Sequence, residues 1–160
     1  MNMVQGLVSS GSLSNIRVLD LTRVWAGPLA TRVMGDFGAD IIKISDPRVQ
    51  LLSSNGLNHK LNRNKRNIGI RLDIEEGREI LLGLVRKSDV IVENFRPRVM
   101  RNLKIDYEVL KTVKPDIIFV SMPGFGANGP YSEYPAFGTT AEAVAGIPSL
   151  IGYGDGVPIS

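Results

Sequence analysis

The densest chemistry in the 160-residue sequence is a basic run, Asn62-Arg63-Asn64-Lys65-Arg66-Asn67, within a stretch from Pro47 to Leu72 that holds six Lys or Arg and no Asp or Glu. Lysine and arginine neutralise phosphate oxygens and asparagine amides donate to them, so Arg63, Lys65 and Arg66 are candidate phosphate contacts; a solvated surface loop is the alternative. The run lacks the interleaved aromatics of single-strand binding sites, and no helix-turn-helix, zinc or RNP pattern accompanies it. Nucleic acid is therefore not an expected partner. His59, the only histidine, has no carboxylate or cysteine partner at ligand spacing, so no metal site is expected. With no cysteine in the chain, disulfides, thiolate metal sites and cysteine nucleophiles are excluded. Glu133 and Glu142 straddle Pro135 at a spacing that fixes no acid–base geometry, and Asp155 between Gly154 and Gly156 has turn chemistry. Gly124-Phe125-Gly126-Ala127-Asn128-Gly129 satisfies G-x-G-x-x-G, yet Pro130 and Pro135 follow where a dinucleotide fingerprint would open a long helix. It reads as a glycine-rich crossover loop that allows close approach to a ligand.

These groups need a scaffold. Ile16 to Leu21 has the β-branched and apolar content of a buried strand, and the loop Trp25-Ala26-Gly27-Pro28 leads into a helix carrying Leu29, Val33, Met34 and Phe37 on one face up to Gly38. Asp40 to Ile44 follows as a strand, completing a βαβ unit with parallel strands. Ser45 to Asn64 is polar and without periodicity, a long excursion from the sheet. A strand over 67–72, a helix opened by an Asp73/Glu76 capping box and ending near Lys87, and a strand over 89–93 come next. A short helix capped by Asp106, a strand over 117–121 and a helix over 139–145 complete the reading. The expected fold class is α/β, an open and mostly parallel Rossmann-like sheet of about five strands with flanking helices. Trp25, the only tryptophan, falls in a loop at a strand's carboxyl end, where such sheets bind ligands; packing in the core is the equal alternative.

At 43% hydrophobic and 22% charged residues, composition excludes a disordered or collagen-like chain. No apolar run approaches the roughly 20 residues of a membrane span, and Met1 to Asn15 has no basic residue before an apolar block, so neither a membrane nor secretion is expected and the cytoplasm is the expected location. The charge of +3 is uneven. Residues 1–114 hold 19 basic and 12 acidic side chains, net +7, whereas residues 115–160 hold four acids and no base. That polarity suits an anionic ligand on the first part.

Six motifs stand in order along the chain: Val18 to Pro28, Gly35 to Ile44, Asn62 to Arg66, Glu76-Gly77, Asp89 to Pro97, and Gly124 to Pro130. In this order and spacing they resemble the N-terminal part of the class III CoA-transferase family, which also contains the α-methylacyl-CoA racemases. The resemblance spans about Ile16 to Pro158. It implies the N-terminal part of a Rossmann-like large domain over residues 16–160, preceded by a flexible tail over 1–15. It also implies coenzyme A or acyl-CoA as substrate with no prosthetic group, a carboxylic acid as acceptor, and a homodimer or split partner. In that family an aspartate attacks the donor acyl-CoA to form a mixed anhydride and then an aspartyl-CoA thioester, which the acceptor carboxylate resolves. Carried over by matching position, the CoA wall comprises Val24, Trp25 and Ala26, then Ile70, Arg71, Leu72 and Asp73, then Asn94, Phe95 and Arg96, and finally Pro123, Gly124 and Phe125. Arg101 substitutes for the family's arginine in an Arg-Leu-Gly step, since Asn102-Leu103-Lys104 stands there instead. Ala136-Phe137-Gly138 replaces the Gly-His-Asp of racemase relatives, favouring the transferase branch. The family's nucleophilic aspartate falls about ten residues after the Asp155-Gly156-Val157-Pro158 step, which the resemblance sets beyond Ser160. No catalytic residue is therefore expected within the 160, and the chain alone is expected to be inactive. A non-catalytic CoA- or nucleotide-binding module, a subunit of a split enzyme and an acyl-CoA racemase relative remain the alternatives.

Overall fold

A computed structural model describes residues 11–49 and 56–152. Five strands run in chain order as β1 (Arg17–Asp20), β2 (Asp40–Ser45), β3 (Lys65–Gly69), β4 (Val90–Glu93) and β5 (Ile118–Ser121). They form one sheet in the order β3-β2-β1-β4-β5, every pairing parallel. This 3-2-1-4-5 order reverses direction between β1 and β4, the switch point where open α/β sheets leave a crevice at the strands' carboxyl ends. Parallel pairing demands crossovers, and the chain supplies α1 (Ala26–Asp36), α2 (Gly56–Asn62), α3 (Glu75–Val85), α4 (Pro97–Asn102) and α5 (Tyr107–Val113), with α6 (Gly138–Val144) and a 3-10 turn (Ile147–Leu150) after β5.

The central strands are buried on both faces, as parallel strands between helix layers must be. On one face Leu19, Leu21, Ile44 and Ile91 pack with Leu81 and Val85 of α3, Met100 of α4 and Leu110 of α5. On the other, Val18, Ile41, Val90 and Val92 pack with Met34 of α1 and with Leu13 and Ile16. Register pairs Val18 with Ile41 and Asp20 with Lys43, which puts a carboxylate and an ammonium among the apolar residues of the α1 face. The edge strand β5 leaves Ile118 57% exposed on that face.

Several elements depart from the sequence reading. β3 begins at Lys65 rather than Asn67, because Lys65 and Arg66 find carboxylates in Asp20 and Asp40 and so enter the ladder despite their polarity. The excursion over 45–64 contains α2, which buries Leu61. Pro97 starts α4, unforeseen, at the helix position where its missing N–H costs nothing. The capping box does not form: Ile74 is the N-cap of α3 without a side-chain bond, and Asp73 turns to Arg71 and Arg48. Asp106 does cap α5, accepting from Val109 N at 3.2 Å. Of the expected tail, residues 11–15 form a turn in which Leu13 N donates to the Phe37 carbonyl at 3.0 Å; residues 1–10 lie outside the described residues. After β5, Gly124 to Gly129 runs into turns and not into a helix. The Asp155 to Pro158 step and Ser160, beyond which the resemblance sets the nucleophile, also lie outside the described residues. No helix among the described residues is long and apolar enough to cross a membrane.

Gly77 shows how tightly α3 is set against the loop before it, since a Cβ there would lie 1.8 Å from the Arg71 carbonyl oxygen. Gly77→Ala is expected to cost about 1–3 kcal/mol of stability, read from the urea midpoint at unchanged slope.

Candidate functional site

The five loops leaving the carboxyl ends of the strands gather at one edge of the sheet, and two cavities open among them. The first, of about 250 Å³, lies over the ends of β1 to β3 and the start of α4. Its apolar lining comes from Leu21, Ile44, Ile70, Leu72, Phe95, Val99 and Leu103, and its rim from Arg23, Ser45, Asp46, Arg48 and Asp73. Phe95 forms one wall. Its N–H donates to Glu93 Oε2 at 2.7 Å, and the Arg23 guanidinium lies 5.5 Å from the centre of its ring, within cation–π range. Burial pushes the Glu93 carboxyl up, only partly opposed by the Ser121 hydroxyl and the Phe95 N–H.

The rim is a chain of ion pairs. Arg48 bridges Asp46 at 2.6 Å and Asp73 at 2.9 Å, and Arg71 adds a second guanidinium to Asp73 at 2.9 Å. Arg71 above all holds the Asp73 carboxyl down to about 2. These pairs tie the loop after β2 to the loop after β3, and with Arg23 they place three guanidiniums against two carboxylates. A cavity with this apolar lining and a surplus of guanidinium at its rim can take a partly apolar, anionic ligand.

Behind the second cavity, of about 370 Å³ and lined by Thr22, Val24, Pro28, Lys43, Val49, Leu57, Leu61 and neighbouring polar groups, lies a buried ionic cluster. The fully buried Asp20 carboxylate accepts five hydrogen bonds: from Thr22 N at 2.9 Å, Thr22 Oγ1 at 2.5 Å, Thr31 Oγ1 at 2.7 Å, Lys43 Nζ at 3.1 Å and Lys65 Nζ at 2.9 Å. Lys43 Nζ also donates to the Thr22 carbonyl, and Lys65 Nζ to the Pro28 carbonyl at 2.8 Å. Burial pushes the Asp20 carboxyl up, but the two ammoniums and the two hydroxyls outweigh it and hold the group below its ordinary value. For Lys43 and Lys65 burial prevails over the attraction of Asp20, and both titrate below the ordinary lysine range.

The expected site residues divide. Ile70, Leu72, Asp73 and Phe95 meet at the first cavity and Val24 lines the second. Trp25 is half exposed beside Val24, and Ala26 opens α1. Arg71 acts through Asp73. Asn94 clamps the Arg23 backbone, accepting from its N–H and donating to its carbonyl, both at 2.8 Å. Arg96 is the N-cap of α4 and Arg101 lies in that helix's last turn; neither lines a cavity. Pro123, Gly124 and Phe125 follow β5, where the Phe125 ring packs 6.2 Å from that of Tyr131. Of the basic run, Asn62 lines the second cavity, and the cations are paired within the protein. Arg63 pairs with Asp36 at 2.7 Å and Arg66 with Asp40 at 2.6 Å, at the amino ends of the strands, and the Lys65 side chain, 1% exposed, is turned inward. Parallel register puts the start of β3 at the edge opposite the cavities. Sequence reasoning missed Arg23, Arg48 and the Asp20–Lys43 pair. A lysine inside Ile41-Ile42-Lys43-Ile44 is the signal that could have found the pair, because a charge at a buried strand position needs a partner.

Comparison with known proteins decides the family. Residues 13–160 match the family described as CoA-transferase family III. The chain belongs to that family. A succinyl-CoA:mesaconate CoA-transferase from Haloarcula marismortui is 36% identical over 92% of this chain and 42% of the relative, and a formyl-CoA:oxalate CoA-transferase from Streptomyces avermitilis is 37% identical over 93% and 38%. Among solved structures, a CAIB/BAIF family protein from Brucella suis superposes with a TM-score of 0.84 at 34% identity, covering 94% of this chain and 43% of the other. A hypothetical protein from Mycobacterium tuberculosis reaches 0.86 at 30% identity, covering 94% and 43%. The chain thus corresponds to an N-terminal portion, about two fifths of the length of these family III relatives.

Removing Asp20 leaves two ammoniums buried against each other, so Asp20→Asn is expected to cost about 3–5 kcal/mol, measured by urea unfolding at pH 7. Because the carboxyl titrates lower when folded than its ordinary 3.8, its contribution is complete above that value and is lost as the pH falls through the lower, folded-state value. That acid-side loss is expected to be missing from the Asn variant.

Proposed function

We propose that this chain forms the CoA-binding wall of a family III CoA-transferase, which moves CoA from an acyl-CoA donor to a carboxylic acid. The observation that carries the reading is the first cavity. Ile70, Leu72 and Phe95 line it and, in this reading, take the adenine ring, while Arg23 and Arg48 at the rim, with Arg71 paired to the rim carboxylate of Asp73, take the phosphates. Both groups of residues come from loops at the carboxyl ends of the strands, where the resemblance placed the CoA wall. The phosphate role expected of the basic run passes, in this reading, to the rim arginines.

The second cavity shares Arg23, Ile44, Ser45 and Asp46 with the first, and in this reading the pantetheine arm runs from one to the other past Val24. The chemistry follows the aspartyl-CoA route. An aspartate carboxylate adds to the donor thioester carbonyl and expels CoA thiolate, leaving a mixed anhydride. The thiolate then attacks the aspartyl carbonyl and releases the donor acid, and the acceptor carboxylate takes the acyl position in the reverse sequence. The nucleophile lies beyond Ser160, in this reading, and the residues described here bind and orient. The acids named for the relatives, mesaconate and oxalate, define the acceptor class to try first. A homodimer or split partner completes the site, and the protein works without a prosthetic group in the cytoplasm.

Coenzyme A titrated into the protein is expected to change the emission of Trp25, the only tryptophan, and Phe95→Ala to weaken binding about tenfold through loss of ring contact. Unchanged affinity in that variant would remove the adenine slot. Mixed with succinyl-CoA and mesaconate, or formyl-CoA and oxalate, the 160-residue chain alone is expected to yield no new acyl-CoA by chromatography; turnover would place the nucleophile inside it.

A further inference from the structure

Val24 is held at φ 69°, a left-handed conformation that costs a β-branched residue on the order of 1–3 kcal/mol. The residue is 68% exposed, so burial does not offset that cost. Neighbouring bonds must. The segment from Thr22 to Ala26 is gripped at its first foot by Asp20, which accepts from Thr22 N and Oγ1, and by Lys43, which donates to the Thr22 carbonyl. Lys65 grips the second foot through the Pro28 carbonyl while also bonding Asp20 and Thr31 Oγ1. Between the feet, Asn94, just past β4, holds both backbone groups of Arg23. Gly27 lets the feet close: a Cβ there would lie 2.3 Å from the Thr22 side chain.

We infer that Asp20, Lys43 and Lys65 are positioning residues that clamp both feet of the β1–α1 loop, hold Val24 in its left-handed conformation, and so pre-form the wall that Val24, Trp25 and Ala26 present to the ligand. The cluster spans β1, β2 and β3, and through it the register of three parallel strands sets the shape of one loop. Rigidity of this kind lowers the ordering cost of binding. That this ligand is an acyl-CoA rests on the function proposed above; the clamp itself does not.

The test is a double-mutant cycle between Lys65 and Val24, read at Trp25, which sits in the clamped loop. Lys65→Met leaves Asp20 and Lys43 as a balanced pair, so this variant keeps its fold, checked by far-ultraviolet circular dichroism. It is expected to raise acrylamide quenching of Trp25 by about twofold or more, the smallest coupling expected of linked residues. Val24→Gly, free of the steric penalty, is expected to raise the melting temperature and to leave quenching near the parent value. In the Val24→Gly background, Lys65→Met is then expected to change quenching little, because the loop no longer stores strain for the clamp to resist. Equal Lys65→Met effects in both backgrounds, or none in either, would overturn the inference and reduce the cluster to core support. Coenzyme A separates the two readings: non-additive quenching with no response of the parent protein to coenzyme A sinks the proposed function and leaves the clamp, whereas additive quenching sinks the clamp whatever coenzyme A does.

Discussion

A carboxylate taken fully out of water has to be repaid at once by donors in fixed positions, and the Asp20 side chain imposes that demand on three strands and a helix. Its register partner Lys43 meets it across the β1–β2 pair, Lys65 reaches it from β3, and Thr31 reaches it from α1. Each lysine has a second bond that fastens backbone at one foot of the β1–α1 loop. The sheet, the first helix and the loop between them are therefore one electrostatic unit. The apolar residues beside it, Val18 and Ile41 on the same face, raise the cost of any geometry in which the donors miss.

From that unit follows the shape of the crevice. Strand order reverses between β1 and β4, so the loops after them diverge and leave space at their carboxyl ends. The loop after β1 is rigid and the loop after β4 is tied to it through Asn94. The loops after β2 and β3 are joined to each other by Arg48 and Asp73. Two cavities result, the first edged by guanidinium, the second backed by buried ammonium. The chain belongs to family III and spans about two fifths of the length of these relatives. α6 and the turn after it bury none of their residues and add nothing to either core cluster.

Much of the architecture was legible because parallel strands buried on both faces are written in continuous apolar runs such as Val18-Leu19 and Val90-Ile91-Val92, and because Pro28, Gly38 and Asp106 mark turns and helix ends through local sterics and hydrogen bonding. The misplaced elements share a cause. β3 starts on Lys65 and Arg66, and Asp73 leaves its capping role for Arg48 and Arg71, because each charge finds a partner 25 to 45 residues away in sequence or a stronger one nearby. Local pattern carries no information about such partners. The same limit applies to the basic run, whose cations pair with Asp36, Asp40 and Asp20, partners that charge density along the chain does not reveal.

By itself the sequence determined the α/β class, the order of its strands, the residues available at each strand's carboxyl end and the motifs that carry the family resemblance, since these depend on spacing and side-chain type along the chain. Only the tertiary structure decided which of those residues face one another, bringing Ile70, Leu72 and Phe95 into one cavity with Arg48 and leaving Arg101 outside it. It also decided that Lys65 points inward while Arg63 and Arg66 stay at the far edge. The physical reason is register: in a parallel sheet the position of a residue along its strand, together with charge pairs that span strands, sets which end and which face it occupies, and neither quantity exists until the strands are side by side.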